Sequence, residues 1–255
     1  MTTPMTTAPT RRSALDATHR RLTAPGATDP RLQWPMSYGD PDGERHAVAE
    51  AIGLAEPGLY DKWIVRGPGA LAACRSMGLD ARPGQVLPAA PGGISAWAIA
   101  DDEVWLLTYG PDPGAPPLPP ANAAAAVARL RAGGALVTDV SSGWSVLRLV
   151  GPRVRDLLEE LVAEDLAPDA LPDQAIRHVP MAACRVVLSR RDHDGIPGFT
   201  LLVARDEAEY LWDVLAHLGE AYGLRPVGAS ALLGPAPGAP VTSAAEPPAA
   251  AGAGR

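Results

Sequence analysis

The 255-residue sequence predicts an α+β fold in which antiparallel strands and helices interleave, and three observations carry that expectation. Apolar runs of strand length alternate with amphipathic segments of helix length. An Asp-Gly pair, Asp194 and Gly195, stands between two such runs, Ala183–Leu188 and Phe199–Val203, the pattern of a tight β-hairpin. A strand, a Gly-Pro turn and a helix also occur twice. Lys62–Pro68 (KWIVRGP) leads into Gly69–Met77, and Ser145–Pro152 (SVLRLVGP) leads into Arg153–Leu161. This weak internal repeat predicts two similar halves, and the hairpin signals favour α+β over a parallel doubly wound sheet.

Taken in order, residues 1–12 are small, polar and Pro-containing at their start and are expected to be disordered. A helix is expected over Gly43–Leu54, then strands over Lys62–Arg66, Ala96–Ile99 and Val104–Thr108. Pro111–Pro120 (PDPGAPPLPP) reads as an extended surface linker, followed by a helix over Asn122–Arg131. A strand over Ser145–Val150 precedes the second Gly-Pro turn. The next helix places Val154, Leu157, Leu158, Leu161 and Val162 on one stripe, with Arg153, Arg155, Glu159 and Glu160 outside it. Pro suits the start of such a helix, where a missing N–H costs nothing. The hairpin strands follow, then a helix from about Glu207 to Tyr222. Asp206 and Glu209 have the spacing of a capping box, Leu211, Trp212, Leu215 and Leu218 form the buried face, and Gly223 suits the C-terminal cap. The tail 234–255 is nearly all Ala, Pro and Gly and is expected to be disordered. The folded domain is thus residues 13–233, with halves of about 13–110 and 121–233 joined by the linker 111–120.

Composition narrows the function. A net charge of −7 and a pI near 5.2 speak against nucleic acid or an anionic membrane as partner. No run approaches the ~20 apolar residues of a spanning helix, and Arg11 and Arg12 precede no apolar stretch, so a cytoplasmic chain is expected. Cys74 and Cys184 sit among alanines and read as buried free thiols. Lys62 is the sole lysine in an arginine-rich chain. The five histidines show no metal-ligand spacing, and neither Gly67-Pro68 nor Gly151-Pro152 is a phosphate loop. Asp101-Asp102-Glu103 reads as a solvated turn. Ser141, His193 and Asp139 supply the residue types of a Ser-His-Asp triad without a nucleophile-elbow motif. Six tryptophans against one phenylalanine make most indoles core.

Several short motifs occur in a familiar order. Leu15, His19, Pro35, Tyr38, Glu44 and His46 resemble an opening L-x-x-x-H, P-V-x-Y and E-H-x-x-V-R, and Gly58-Leu59-Tyr60-Asp61 resembles G-L-F-D. Thr138-Asp139-Val140-Ser141 with Leu149-Val150-Gly151-Pro152 resembles D-x-S…L-x-G-P. Arg190, Gly195, Gly198, Phe199 and Leu201 fall on R-T-G-Y-T-G-E-D-G-F-E-I, and Gly223–Gly228 resembles G-L-x-P-x-G. Together they resemble the glycine cleavage T-protein (aminomethyltransferase) family. Departures fall where that family keeps its chemistry. Its folate-binding glutamate becomes Ile196, and the acidic pair after Gly92-Gly93-Ile94 becomes Ser95, Ala96 and Trp97. The D-V-S-H-M-G loop is shortened to Asp61-Lys62-Trp63, an asparagine becomes Gly110, and a C-terminal β-rich domain has no counterpart. This truncated layout also resembles the γ subunit of heterotetrameric sarcosine oxidase.

The resemblance implies two pseudo-symmetric strand-helix halves around a central cavity that takes the pterin of tetrahydrofolate. It implies a folate-dependent one-carbon transferase with a rebuilt acceptor site, in which Arg190 orients the ligand, Tyr38 hydrogen-bonds it, Trp97 stacks on the ring and His46 supports them, with Ile196 at the lost glutamate. The alternative is a non-catalytic subunit or binding protein, a small-molecule ligand and a partner oxidase or biosynthetic protein being the expected company. The missing carboxylates leave enzymatic activity an open question.

Overall fold

The computed structural model describes residues 12–23, 28–29, 34–57, 61–87, 94–108 and 120–233. The expected tails and linker lie outside these residues except at Arg12 and Pro120, as do Gly58-Leu59-Tyr60, Gly92-Gly93 and Gly110. In chain order the elements begin with α1 (Asp16–Leu22), β1 (Thr28–Asp29), β2 (Trp34–Pro35), α2 (Pro41–Glu50), β3 (Ile52–Ala55) and β4 (Lys62–Arg66). Next come α3 (Ala70–Arg75), β5 (Gln85–Leu87), β6 (Ser95–Ala100), β7 (Glu103–Leu107), α4 (Pro120–Ala132) and β8 (Leu136–Asp139). The chain continues with β9 (Trp144–Val150), α5 (Val154–Glu159), β10 (Ile176–Met181), β11 (Cys184–Arg190) and β12 (Gly198–Ala204). It ends with α6 (Ala208–Gly219), a 3-10 turn (Glu220–Tyr222), β13 (Leu224–Pro226) and α7 (Ala229–Leu233).

The strands form a six-stranded sheet, β10-β11-β12-β9-β3-β13, and a five-stranded sheet, β5-β6-β7-β4-β8. Pairing is antiparallel throughout except between β13 and β3. The sheets do not divide at the Pro-rich segment: β3, which precedes it, joins the six-stranded sheet, and β8, which follows it, joins the five-stranded one.

Period-2 alternation assigns each strand two faces. Ile64, Trp97, Trp105 and Leu107 of the smaller sheet pack against Val146, Ile176, Val187 and Leu202 of the larger. The outer face of the larger sheet (Leu147, Leu149, Val186, Leu188, Leu201, Val203) is covered by Leu157 and Leu158 of α5 and by Leu211, Trp212 and Leu215 of α6. The outer face of the smaller sheet (Val65, Ala96, Ala98, Val104, Leu106) is covered by α3 and α4 through Leu71, Cys74, Val127 and Leu130. The layers run helix, sheet, sheet, helix, and each large side chain so buried stabilises by about 1.5–3 kcal/mol. The glycine of each Gly-Pro turn has positive φ, and at Gly151 a Cβ would lie 2.1 Å from the Ala51 carbonyl oxygen, so only glycine fits.

Two expectations are corrected. The helix expected over Gly43–Leu54 stops at Glu50, and Ile52–Ala55 is strand β3 because pairing with β9 and β13 outweighs helix continuation. The capping box at Asp206 and Glu209 does not form. The helix starts without a side-chain cap, and Glu209 instead accepts a hydrogen bond from Thr18 Oγ1 of α1 at 3.2 Å.

Candidate functional site

The hairpin is built as its residues dictate. Asp194 (φ 50°) and Gly195 (φ 81°) make a two-residue turn of the type that follows strand twist, closed by His193 and Ile196 exchanging N–H···O bonds of 2.8 Å. Ile196, half-buried, packs on the cluster of Trp34, Val48, Ala55, Val150 and Val227. That setting is apolar, and an ionised carboxylate there would be costly. Arg190 grips Asp192 in bidentate fashion at 3.0 and 2.9 Å, and its third contact is the Leu171 carbonyl at 3.1 Å. Its guanidinium thereby ties the hairpin to the preceding loop.

Tyr38 packs against the outer face of the larger sheet, in a largely buried polar chain. His19 Nε2 donates to Glu56 at 2.8 Å, which leaves Nδ1 to accept from the Tyr38 hydroxyl at 2.8 Å, and Ser13 Oγ donates to the same Glu56 oxygen. Trp212 stands edge-on to the His19 ring at 5.8 Å. Burial, reinforced by Glu56 and Glu44, holds the Tyr38 phenol well above its usual range. Glu44 is buried too and accepts from Ser37 Oγ, Tyr38 N–H and Gly228 N–H at 2.6–2.8 Å, stitching the loop after β2 to the chain before α7. His46 is exposed on α2. Trp97 is 1% exposed in the layer between the sheets, its Nε1 donating to Ser95 Oγ at 3.0 Å.

The five residues expected at one site thus occupy separate environments: Arg190 and Ile196 at the hairpin, Tyr38 in the outer polar chain, His46 at the surface and Trp97 between the sheets.

The space between the sheets holds a second polar group that sequence reasoning did not single out. Lys62 shares the inner face of β4 with Ile64, and Arg148 shares the inner face of β9 with Val146. They are 2% and 3% exposed. Lys62 Nζ donates to the Ser141 carbonyl at 3.5 Å, and Arg148 donates to Thr200 Oγ1 at 3.0 Å and to the Arg191 carbonyl at 2.7 Å. Arg148 pairs across the sheet with Thr200, and Thr200 with Ser189, while Leu107 pairs with both Lys62 and Ser95. At the β10 edge His178, in the row of Val146, lies within electrostatic reach of Glu103 at the start of β7. The next row, that of Arg148, therefore lies toward the end of β7, where Leu107, Lys62 and Ser95 stand. Both cations face the same end of the inter-sheet layer.

The signals for these residues were present but not local. An arginine inside the apolar run Val146–Val150 and a lone lysine heading an apolar strand both break their surroundings. Glu56 ends Gly53-Leu54-Ala55-Glu56, an earlier G-L-x-acid than Gly58–Asp61, and this earlier one carries strand β3.

The remaining candidates are structural. Ser141 Oγ accepts from Lys62 N–H at 2.8 Å and its N–H donates to Asp139 at 2.9 Å, so Ser141 and Asp139 form the turn after β8, while His193 belongs to the hairpin of the other sheet. Both cysteines are buried and free. Burial pushes the Cys74 thiol up to about 11, and burial with Glu207 raises Cys184, which makes both poor nucleophiles. Asp101 and Asp102 are exposed in a turn, and Glu103 is held by Arg66 and Trp105. Among the described residues no three His, Cys, Asp or Glu side chains could share a metal ion, and no helix is long and apolar enough to cross a membrane.

Comparison with known proteins agrees with the motif order. Residues 121–233 match the family described as the GCVT N-terminal domain. An aminomethyltransferase of Streptomyces avermitilis is 31% identical over 238 residues, 86% of this chain and 60% of that one. One of Mycobacterium avium is 29% identical over 233 residues, 85% and 59% of the two chains. The chain spans about three fifths of the length of these curated relatives. The fold is shared with glycine cleavage system aminomethyltransferase T from Bartonella henselae (TM-score 0.66, 19% identity, 88% of this chain and 62% of that one). It is shared also with a chain of heterotetrameric sarcosine oxidase from Corynebacterium sp. U-96 (TM-score 0.60, 20% identity, 85% of this chain and 98% of that one). Motif order, family match, sequence relatives and fold agree: the chain is GCVT-like, similar to the aminomethyltransferases over most of its length.

Proposed function

We propose that the chain is a non-canonical, folate-dependent one-carbon transferase-like protein that keeps the family's binding fold without its aminomethyl-transfer chemistry. The observation that carries this reading is the hairpin. Its turn is fully formed, yet the position of the family's glutamate is Ile196, packed on an apolar cluster. The acidic pair is likewise replaced by Ser95, Ala96 and Trp97, all buried. These residues do not fit carboxylate recognition of a pterin, so no transfer step is assigned to them. The ligand cavity in this reading is the space between the two sheets, bordered by Trp97, with Arg190 holding the hairpin at its rim rather than touching the ligand.

Calorimetric titration of the purified protein with tetrahydrofolate, beside an assay with aminomethylated carrier protein, tests the proposal. Binding without ordinary turnover is the expected result, and ordinary turnover refutes it. Losing one buried charge-assisted contact costs about 1.5–3 kcal/mol, so affinity one to two orders of magnitude below that of an aminomethyltransferase is expected. A second reading, a non-catalytic subunit, is supported by the fold shared with a chain of heterotetrameric sarcosine oxidase. Absence of any tetrahydrofolate binding, with co-purification of an oxidase, would favour that reading.

A further inference from the structure

We propose that a cavity at the free edge of the six-stranded sheet, on strands β10 and β11, binds a small organic monocarboxylate with an apolar body, held by His178 and Arg185. Arg185 stands at the opposite end of β11 from Arg190 and the Asp194-Gly195 turn, so the proposal is independent of the folate reading. Four observations support it.

The cavity has a volume of about 340 Å³ and is lined by His178, Val179, Pro180, Arg185 and Val186. Register places it on one face of the sheet. Val179 and Val186 pair with each other and turn their side chains into the outer core, so what they offer the cavity is backbone. His178, Pro180 and Arg185 occupy the opposite face, beyond the inward-facing Ile176 and Val187. Small-ligand cavities run from about 300 to 1,000 Å³, which sets this one among the smaller and asks for a small occupant.

The edge is open here but closed to another strand. β5 covers only the start of β10, where Ile176 N–H donates to the Gly84 carbonyl at 2.9 Å and Gln85 bridges Ala175. Arg190 N–H donates to the Ala175 carbonyl at 3.0 Å, which fixes the alternation of the ladder. Val179 with Val186 is then a hydrogen-bonded pair, and Pro180 with Arg185 a non-hydrogen-bonded one. Pro180 therefore turns its nitrogen, which has no hydrogen to donate, toward the free edge. A proline there bars extension of the sheet by a further strand and leaves the place to a small molecule.

Charge points the same way. The lining carries two basic side chains and no acid, in a chain of net charge −7. Glu103 lies within electrostatic reach of His178, but its oxygens are engaged by Arg66 Nε at 3.0 Å and Trp105 Nε1 at 2.8 Å.

The spacing suits one carboxylate. His178 and Arg185 are diagonal neighbours on one face, about 7–8 Å apart along the backbone and within reach of each other for long side chains. A guanidinium offers two parallel donors, and an imidazole offers a ring N–H in either protonation state. In a non-hydrogen-bonded pair the Cα atoms stand only about 4.5 Å apart, so the Pro180 ring lies beside the Arg185 stem and supplies an apolar wall for the body of the ligand. A phosphate dianion has no such body and asks for more donors than these two groups provide.

The test uses the purified full chain with its five histidines labelled with ¹⁵N. Loss of one signal in His178→Gln identifies the His178 ring. Benzoate is expected to shift that signal along a saturable curve, and benzamide, its neutral counterpart, to leave it in place. Acetate, which lacks the ring, should bind about tenfold more weakly than benzoate, and inorganic phosphate no more tightly than acetate. Arg185→Gln should weaken benzoate binding about tenfold to hundredfold. Arg185 is exposed, so this variant should keep the wild-type thermal midpoint. A His178 signal that benzoate does not move, an equal response to benzamide, phosphate binding as tight as that of benzoate, or full benzoate affinity in Arg185→Gln each overturns the proposal. The wild-type titrations decide it even where the variant fails to fold, and calorimetry with tetrahydrofolate reports the folate reading separately.

Discussion

The two faces of the six-stranded sheet bury polar groups in opposite ways. On the outer face, Ser13, His19, Tyr38 and Glu56 form a chain in which an acid, an imidazole and two hydroxyls answer one another and dock α1 onto the body. On the inner face, Arg148, Thr200 and Ser189 form a polar row across β9, β12 and β11. The outer group is a closed chain of hydrogen bonds from acid to imidazole to phenol, whereas the inner guanidinium is held by the neighbouring strand and its connection. Mutually satisfied networks of the first kind rigidify a fold.

The largest expected effect tests how well the inner layer is packed. Trp97 and Trp212 are each 1% exposed, one between the sheets and one under α6; Trp212→Ala should cost about 3–5 kcal/mol in urea denaturation, and Trp97→Ala, bordering the proposed cavity, should cost less. A markedly smaller loss for Trp97→Ala would mean that the inner layer is looser than the outer core and borders an open cavity. The second expectation sets the polar groups against each other. His19→Ala removes a charge-assisted hydrogen bond from buried Glu56 and should cost about 1.5–3 kcal/mol. Arg148→Met replaces a buried cation with an apolar side chain of similar length and should leave stability within about 1 kcal/mol of wild type, or raise it. Equal losses for the two would abolish the distinction between the faces.

The smallest effect is confined to alkaline solution. Tyr38 ionises well above its usual range when folded, so the unfolded chain loses this proton first as pH rises past about 10. Stability from this group is fully present below that pH and falls above it, by up to about 1.4 kcal/mol per pH unit until the folded phenol also ionises. Tyr38→Phe should flatten that alkaline slope in denaturation midpoints measured from pH 8 to 11, and an unchanged slope would place its origin elsewhere.

Much of the fold was legible in the sequence where the signal is local. The amphipathic stripe of α5, the apolar face of α6 with its left-handed Gly223, and the Asp-Gly hairpin all form as their residues indicate. The strands β4, β6, β7, β9, β11 and β12 are apolar runs, and they sit within a residue or two of expectation. What escaped were strands defined by their partners. β3 continues an apolar helical pattern, and β5, β8, β10 and β13 are short or charged and become strands only through pairing. The site was less legible for the same reason. His19 and Tyr38 stood out by motif, but that they share a proton-linked chain with Glu56 and Ser13 depends on contacts across the fold. Arg190, read as a ligand contact, is engaged by Asp192 two residues away and by Leu171.

The exchange of β3 and β8 between the sheets bears on how the chain reaches its native state. Neither side of the Pro-rich segment holds all the strands of one sheet, so neither can finish its hydrogen-bond ladder before the other is made. Folding then depends on contacts distant in sequence, which slows the search and couples both sheets into one cooperative transition. Nicked at that segment, the chain would behave as two complementing fragments rather than as two independent domains.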